Sequence, residues 1–324
     1  MAEIVASSNK MREAQRLAER VAGTDANVLI TGESGAGKDA LALFIHEHSA
    51  RASQSFVKID CAALPGELLE AELFGYERGA FTGATEARPG RLEAAHKGTL
   101  VLDEIAHLTW EAQAKLLRVI EQREFERLGG RRTIRVDARL IALTNVELDM
   151  AVRRKAFRED LFYRLNVVRI RVPPLRERRE DVRELAERFL KTYAAKHGRA
   201  ASSISKDVLA WFEAYDWPGN VRELANVVER AVIVADGKRI EETHLPDALR
   251  ASAGRLRKGG RPRTLAELEA DYIAETLESV RGNKSEAARI LGISRKNLYE
   301  KLARYKIEER GRAPELSEKS EIDL

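Results

Sequence analysis

The sequence lacks the features of a secreted or membrane-bound protein. Its only cysteine is Cys61, so no disulfide can form within the chain, and this suits a reducing cytosol. No stretch approaches the ~18 consecutive apolar residues that a membrane helix needs, and the N-terminus, MAEIVASSNK, has no apolar signal-peptide core. We therefore expect a cytoplasmic protein with no membrane partner.

The sequence also has little excess of charge of either sign. The formal net charge is +4, so charge alone points only weakly to nucleic acid. The distribution of charge is more informative, because basic residues crowd residues 250–263 and recur over residues 281–312. Such basic surfaces are often simply solvated, so this clue by itself leaves DNA binding open.

The first half of the sequence alternates short apolar runs with helical periodicity, which is typical of an α/β fold with a parallel sheet. Helices should fill the gaps between strands, for example at residues 37–48 and 111–122. We predict an α/β subdomain over residues 1–172, closed by Pro173 and Pro174. Its candidate strands are residues 27–31, 56–59, 99–102, 140–144 and 167–172.

The pattern after the two prolines is almost purely helical. Predicted helices at residues 179–196, 206–214 and 219–235 indicate an α-helical lid subdomain over residues 173–250. The next stretch, residues 251–263, is rich in Gly and Arg and predicts a flexible basic linker. A compact all-α unit is expected at residues 264–308, followed by a disordered polar tail at residues 309–324.

A glycine-rich segment follows the first predicted strand and opens a helical pattern, the context that a phosphate-binding loop requires. Glycines let backbone N–H groups close around phosphate oxygens, and the helix N-terminus adds positive potential. The lysine of the segment, Lys38, would reach the terminal phosphates. The next residue is Asp39, at the position where a Ser or Thr usually holds Mg²⁺. This segment, the phosphate loop, consists of Gly32, Glu33, Ser34, Gly35, Ala36, Gly37 and Lys38.

A second motif supports nucleotide binding. Apolar residues 100–102 lead into two adjacent carboxylates, Asp103 and Glu104. Asp103 is the expected Mg²⁺ ligand, directly or through water, and Glu104 is the base that orients the attacking water. The pair could instead cap the following helix, but the phosphate loop upstream favours binding of ATP or GTP.

A glycine-flanked hexapeptide lies between the two nucleotide motifs and presents one aromatic and one hydroxyl side chain. Such a loop is suited to moving with nucleotide state and contacting a partner. This hexapeptide, the surface loop, consists of Gly79, Ala80, Phe81, Thr82, Gly83 and Ala84. Together with the nucleotide motifs, it resembles the signature of bacterial sigma-54 activators, which are AAA+ P-loop ATPases, and the resemblance runs from Ile4 to Arg250.

The resemblance implies a complete activity. The protein would bind an upstream activating site on DNA and hydrolyse ATP with Mg²⁺. It would thereby remodel the closed complex of sigma-54 RNA polymerase holoenzyme into an open complex. The surface loop would contact sigma-54, and the working form would be a ring-shaped homo-oligomer, a hexamer in this family.

The resemblance also assigns roles to residues outside these motifs. Asn145 matches the sensor that reads the γ-phosphate, and Arg222 matches the lid arginine that senses nucleotide. The segment PG at residues 218–219 reads equally well as an ordinary helix start. Arg158 and Arg164 match arginines that reach into the neighbouring subunit's site. The alternative for Arg164 is a helical ion pair with Asp160, four residues away.

Residues 264–307 resemble a helix-turn-helix of the factor-for-inversion-stimulation (Fis) type. The expected helices are residues 264–280, 283–291 and 294–305, with a turn at Gly292. A small helical protein-interaction domain is the alternative, but the basic linker favours double-stranded DNA. The residues available to DNA are Ser294, Arg295, Lys296, Asn297, Tyr299 and Lys301.

Several features depart from the family pattern. The ATPase pattern begins near residue 4 without a preceding receiver domain, so we expect either a separate regulatory protein or a longer parent chain. Asp39 replaces the usual Glu, and Ala36 replaces a common Thr. Asp60 replaces an Asn thought to hold the catalytic carboxylate, which leaves this switch open. One alternative is a DNA-binding regulator with a vestigial ATPase, but the surface loop and the Asp103–Glu104 pair are intact. Another is a helicase or replication loader, which would explain neither the surface loop nor the helix-turn-helix.

Overall fold

A computed structural model describes residues 4–246, 249, 264–280, 282–305 and 307. The predicted linker, residues 251–263, and the predicted tail, residues 309–324, lie outside the described residues. The described part of the chain divides into two compact units, one on each side of the predicted linker. Among the helices it contains, none combines the length and apolar character needed to cross a membrane.

The first unit opens with an α/β subdomain. Its helices are α1 (Asn9–Ala22), α2 (Lys38–Glu47), α3 (Gly66–Phe74), α4 (Arg91–Ala94), α5 (Trp110–Gln122), α6 (Leu148–Arg153) and α7 (Glu159–Leu165). Its strands are β1 (Val28–Thr31), β2 (Phe56–Asp60), β3 (Gly75–Tyr76), β4 (Arg88–Pro89), β5 (Thr99–Asp103), β6 (Glu124–Glu126), β7 (Thr133–Arg135), β8 (Arg139–Thr144) and β9 (Val168–Arg171).

Five of these strands form one parallel sheet in the order β2-β5-β8-β1-β9. Each of the five predicted strands is confirmed to within one residue at each end. The central strands β1 and β8 are buried along their whole length, which explains their unbroken apolar runs. Because parallel strands end together, the carboxyl ends of β1, β5 and β8 meet at one edge, where the sequence motifs lie.

Helices cover both faces of the sheet. One core joins α1 and α2 to the sheet through residues such as Ala18, Leu41 and Ile141. The other core joins α3, α5 and α7 through residues such as Leu73 and Leu116. Two short antiparallel hairpins, β3–β4 and β6–β7, lie outside the main sheet.

The lid that follows contains α8 (Glu180–His197), α9 (Lys206–Ala214) and α10 (Asn220–Val234), with a short pairing of β10 (Ser203–Ile204) and β11 (Arg239–Ile240). Short 3₁₀ turns lie at Ile105–His107, Leu175–Glu177 and Glu242–His244. The lid has its own core, in which Trp217 is fully buried and its indole N–H donates to the carbonyl oxygen of Phe212 at 2.7 Å.

The second unit contains α11 (Leu265–Ser279), α12 (Lys284–Ile290) and α13 (Arg295–Tyr305). Asn283 caps α12 by accepting from the backbone N–H of Ser285 and Glu286. Gly292 makes the turn to α13 with a φ of 66°. The three predicted helices are confirmed, and Ile273 of α11 joins their small core with Ala287, Ala288 and Leu298.

Candidate nucleotide-binding site

The phosphate loop connects β1 to α2 and encloses its own lysine. The Lys38 side chain is only 6% exposed, and its Nζ donates to the carbonyl oxygens of Gly32 at 2.9 Å and Glu33 at 3.3 Å. Gly37 precedes α2 with a φ of 102°, a conformation that favours glycine. The loop therefore holds an ammonium group and the N-terminus of a ten-residue helix at one point.

The carboxylate of Glu104, which directly follows β5, faces this ammonium. Lys38 Nζ lies 3.6 Å from a carboxylate oxygen of Glu104. The other Glu104 oxygen accepts a hydrogen bond from the backbone N–H of Asn145 at 3.0 Å. Glu104 itself has a φ of 51°, unusual for a residue other than glycine. The structure therefore brings the expected base, the expected sensor and the loop lysine together.

Asp60 is the last residue of β2, the strand that pairs with β5. It pairs in register with Asp103, and its Oδ1 accepts from the backbone N–H of Ala62 at 2.9 Å. Glu104 is held by the backbone N–H of Asn145, which any residue other than proline could provide at position 145. Whether Asp60 alters the catalytic switch stays a prediction.

Lys58 is a site residue that the sequence analysis missed. Its Nζ lies 2.7 Å from Asp103 Oδ2 and also donates to Asp39, in the first turn of α2. Partial burial disfavours its charged form, but the hydrogen bonds to Asp103 and Asp39 outweigh burial and raise the pKa of Lys58. The alternation of β2 was the available signal, because it puts Lys58 and Asp60 on the opposite face from buried Ile59.

Asp39 and Asp103 form the acidic end of the nucleotide site, and their carboxylates are the type of ligand that a divalent cation prefers. Carboxylates of Asp39 and Asp103 come from separate elements yet both contact the single ammonium of Lys58. In the part of the chain that the structure describes, no group of three or more His, Cys, Asp or Glu side chains could hold a metal. Mg²⁺ needs no such group, since it commonly takes one or two carboxylates together with substrate phosphates and water.

The lid meets the phosphate loop directly. Arg222 donates to Ser34 Oγ at 3.0 Å, and the backbone N–H of Val221 donates to the carbonyl oxygen of Gly35 at 3.0 Å. Asn220, which is fully buried, donates to Glu33 Oε2 and to the carbonyl oxygen of Ser34, both at 3.1 Å. Arg222 was expected here, whereas the sequence analysis missed Asn220.

Two further arginines fix the loop from the segment between β9 and α8. Arg176 pairs with both carboxylate oxygens of Glu33, and Arg178 donates to the carbonyl oxygen of Ala36. The hydrogen bond from Arg176, followed by that from Asn220, lowers the pKa of Glu33 to about 2. The arginine-dense run at residues 176–179 was the only sequence signal for these contacts.

The surface loop projects between β3 and β4. The backbone N–H of Gly79 donates to the carbonyl oxygen of Ala84 at 2.8 Å, which closes the loop at its base. Phe81 is 41% exposed and lies edge-on to Tyr76, with ring centroids 5.0 Å apart, while Thr82 is exposed. The loop thus presents the aromatic and hydroxyl groups that the sequence analysis singled out.

Arg127, after β6, anchors the base of the surface loop. It pairs with Glu77 at 3.1 Å and with Glu93 at 2.8 Å. The hydrogen bond from Arg127 lowers the pKa of Glu93. The β6–β7 hairpin is therefore tied to both ends of the segment that carries the surface loop.

Comparison with known proteins agrees with this arrangement. Residues 4–171 match the sigma-54 interaction domain, residues 176–260 match the AAA+ ATPase lid domain, and residues 264–305 match the Fis family of bacterial regulatory proteins. The chain belongs to the sigma-54 activators. It is therefore a sigma-54-dependent transcription activator, an ATPase of the AAA+ class and a DNA-binding protein.

Individual relatives give the same result. This activator is 46% identical over 313 residues to the regulatory protein AtoC of Escherichia coli, covering 94% of this chain and 68% of AtoC. It is 45% identical over 311 residues to FlbD of Caulobacter vibrioides, covering 91% of this chain and 68% of FlbD. A crystal structure of NtrX from Brucella abortus in complex with ATP is 38% identical, with a TM-score of 0.71, covering 94% of this chain and 69% of NtrX.

The two arginines expected to act on a neighbouring subunit lie in or next to α7. Arg158 forms two hydrogen bonds to Asp160 and lies over the ring of Trp110, 5.4 Å from its centroid. Arg164 pairs with Glu121 at 3.0 Å. The alternative of an ion pair between Asp160 and Arg164 is therefore wrong, because each has another partner.

The helix-turn-helix of the activator exposes most of the residues expected to contact DNA. Ser294 caps α13 by accepting from the backbone N–H of Asn297 at 3.2 Å. Arg295, Lys296, Asn297 and Tyr299 are exposed along α13. Lys301 differs, because its Nζ lies 2.5 Å from Glu269 of α11 and its side chain is half-buried. The structure therefore gives Lys301 a role in holding α13 against α11.

Proposed function

We propose that ATP is bound with its phosphates in the phosphate loop and that the Mg²⁺ ion is held by Asp103, directly or through water. The two oxygens of Glu104 support this proposal, since one faces Lys38 and the other is held by Asn145. When bound, Mg²⁺ would neutralise charge on the phosphates. Glu104 would orient the attacking water and accept its proton, and Asn145 would sense the γ-phosphate.

Arg222 couples this site to the lid. Because its guanidinium is hydrogen-bonded to Ser34, a change in the phosphate loop on nucleotide binding would be felt by α10. The backbone contact between Val221 and Gly35 adds to the same connection. Nucleotide state would therefore alter the position of the lid relative to the sheet.

The activator would work as a ring of identical subunits, a hexamer as in its family. Arg164 is 61% exposed, and two apolar neighbours on the same segment, Tyr163 and Val167, are 66% and 60% exposed. A large apolar side chain beside an exposed arginine suits a surface that a second subunit covers. There Arg158 and Arg164 would leave their present carboxylate partners and stabilise charge on the neighbour's ATP.

The remaining surfaces would contact the transcription machinery in the cytoplasm. Phe81 and Thr82 of the surface loop would contact sigma-54 in the polymerase holoenzyme. The exposed side chains of α13 would enter the major groove of an upstream site. On α11, Leu265 and Tyr272 are exposed apolar residues that would pair two such units on a two-fold site.

Mixing two inactive variants tests the ring and its site together. Lys38→Ala removes ATP binding and Arg164→Ala removes the arginine, so each alone should hydrolyse ATP very slowly. In a mixed ring, an Arg164→Ala subunit with an intact phosphate loop can receive Arg164 from a Lys38→Ala neighbour. Turnover should therefore reappear on mixing, together with open-complex formation by sigma-54 polymerase.

The control for mixing is a Lys38→Ala, Arg164→Ala double variant added to the Arg164→Ala variant, which should restore nothing. If the first mixture also stays inactive while the parent protein hydrolyses ATP, the arginine does not act between subunits. A parent protein that binds DNA but neither hydrolyses ATP nor opens the promoter would favour the vestigial-ATPase alternative.

A further inference from the structure

A lysine without an assigned role lies at the acidic end of the nucleotide site. Lys58 of the edge strand β2 contacts Asp103, at the end of β5, and Asp39, in the first turn of α2. Its ammonium lies 2.7 Å from Asp103 Oδ2. The side chain is 37% exposed, so dissolved ions can reach it.

Asp103 is also the carboxylate proposed to hold Mg²⁺. Mg²⁺ binds its oxygen ligands at about 2.0–2.1 Å, and a lysine ammonium on the same carboxylate would be close enough to repel it. Lys38 does not compete in this way, because its ammonium is turned toward the Gly32 and Glu33 carbonyl oxygens and Glu104. Lys58 and Mg²⁺ would therefore compete for the same carboxylate, that of Asp103.

We infer that Lys58 is a built-in counter-ion that competes with Mg²⁺ for Asp103 and Asp39, and that it sets how strongly nucleotide binding depends on Mg²⁺. This inference rests on the proposed Mg²⁺ role of Asp103. Without the Lys58 ammonium, the negative charges of Asp39, Asp103 and Glu104 repel metal-free ATP more strongly. The same charges attract Mg²⁺ more strongly, so the two effects have opposite signs.

The test is calorimetric titration of the full chain with a non-hydrolysable ATP analogue, once in EDTA and once in Mg²⁺. In Lys58→Met, the affinity in EDTA should fall and the affinity in Mg²⁺ should rise. The ratio of the two affinities should increase by about tenfold relative to the parent, the size expected for one partly screened charge contact. The Mg²⁺ concentration needed for half-maximal binding should fall in parallel.

Two variants separate charge from shape. Lys58→Arg keeps a cation at this position and should return the affinity ratio to near the parental value. Lys115→Met removes a lysine of similar exposure, on α5, that pairs with Glu70 of α3 at 2.7 Å. It should leave both affinities unchanged.

If Lys58→Met changes both affinities by the same factor, or neither, Lys58 is a structural support and the inference is overturned. Asp103→Asn separates this result from failure of the proposed function. Mg²⁺ dependence that survives Asp103→Asn would remove Asp103 from the metal site. Dependence that is lost in Asp103→Asn but unaltered in Lys58→Met would overturn only the role of Lys58.

Discussion

The phosphate loop and the surface loop are both glycine-flanked turns of one subdomain, and each contains glycines at positive φ. Gly35 has a φ of 73° and Gly83 a φ of 103°, both in the left-handed region. A Cβ added to Gly35 would lie 2.5 Å from the carbonyl oxygen of Gly219 in the lid, whereas a Cβ added to Gly83 would meet no atom within 4 Å. Glycine at position 35 therefore permits both a positive φ and close packing against the lid. Glycine at position 83 permits only the positive φ.

Side chains follow the same division. The phosphate loop is bonded from the lid and from the segment before it, through Arg222, Asn220 and Arg176. The surface loop is held at its base, where Arg127 pairs with Glu77, while Phe81 remains exposed. Hydrolysis and partner contact are thus supported by separate contacts and should be separable by mutation.

The largest effect is expected from Lys38→Ala in the phosphate loop. It removes the ammonium that lies between the loop carbonyls and Glu104, so ATP binding should be lost. Calorimetric titration with ATP measures this, and the thermal unfolding temperature controls for folding. Near-parental affinity would show that Lys38 does not contact the phosphates.

Thr82→Ala should impair only the function of the surface loop. Thr82 is exposed and lies outside the phosphate machinery, so the ATPase rate should persist while promoter opening by sigma-54 polymerase fails. The two rates are measured on one preparation. Thr85→Ala, a matched change just beyond the hexapeptide, should affect neither rate. Normal opening by Thr82→Ala would exclude the proposed role of the surface loop.

Both loops were predictable from the sequence because their chemistry is local. The central strands were equally predictable, since β1 and β8 are buried on both faces and carry unbroken apolar runs at residues 28–30 and 140–143. The hairpins β3–β4 and β6–β7 were not predicted, because strands of two or three residues have no readable period.

The contacts that complete the nucleotide site were not predictable for a different reason. Arg176 and its partner Glu33 are 143 residues apart in the sequence. Lys58 and Asp39 are only 19 residues apart but belong to different elements. Periodicity indicates which face of an element a side chain occupies, yet it does not identify the residue opposite. Long-range polar pairing therefore required the structure.

A pair of alanine substitutions sharpens the glycine comparison. Gly83→Ala should cost about 1–2 kcal/mol in the free energy of unfolding, the usual penalty for alanine at positive φ. Gly35→Ala should cost more and should also weaken ATP binding, because its Cβ would collide with backbone of the lid. Denaturant unfolding and ATP titration measure both effects. If both substitutions lower the free energy of unfolding equally, the lid backbone at Gly219 moves to accommodate the new Cβ. The two loops would then be packed with more similar tolerance than their contacts indicate.

The smallest effect concerns the ion pair between Glu33 and Arg176, which ties the phosphate loop to the segment before the lid. Arg176 and then Asn220 lower the pKa of Glu33 from 4.5 to about 2. A carboxylate with a lowered folded-state pKa stabilises the fold fully above its unfolded pKa, near 4.5, and loses that contribution as the pH falls toward 2. Both side chains are about two-fifths exposed, so solvent screening keeps the contribution small.

Arg176→Met should therefore lower the unfolding temperature slightly at pH 7, and this difference from the parent should shrink as the pH falls below about 4.5. Glu33→Gln provides the matched background, because a neutral amide has no carboxylate to titrate. In that background, the effect of Arg176→Met should change much less with pH, since only weaker charge interactions with Glu177 and Asp216 remain. A difference in the parent background that stays constant from pH 7 down to pH 3 would show that the ion pair does not stabilise the fold. The phosphate loop would then be held by its other bonds, from Asn220, Val221 and Arg222 of the lid and from Arg178 of the segment before it.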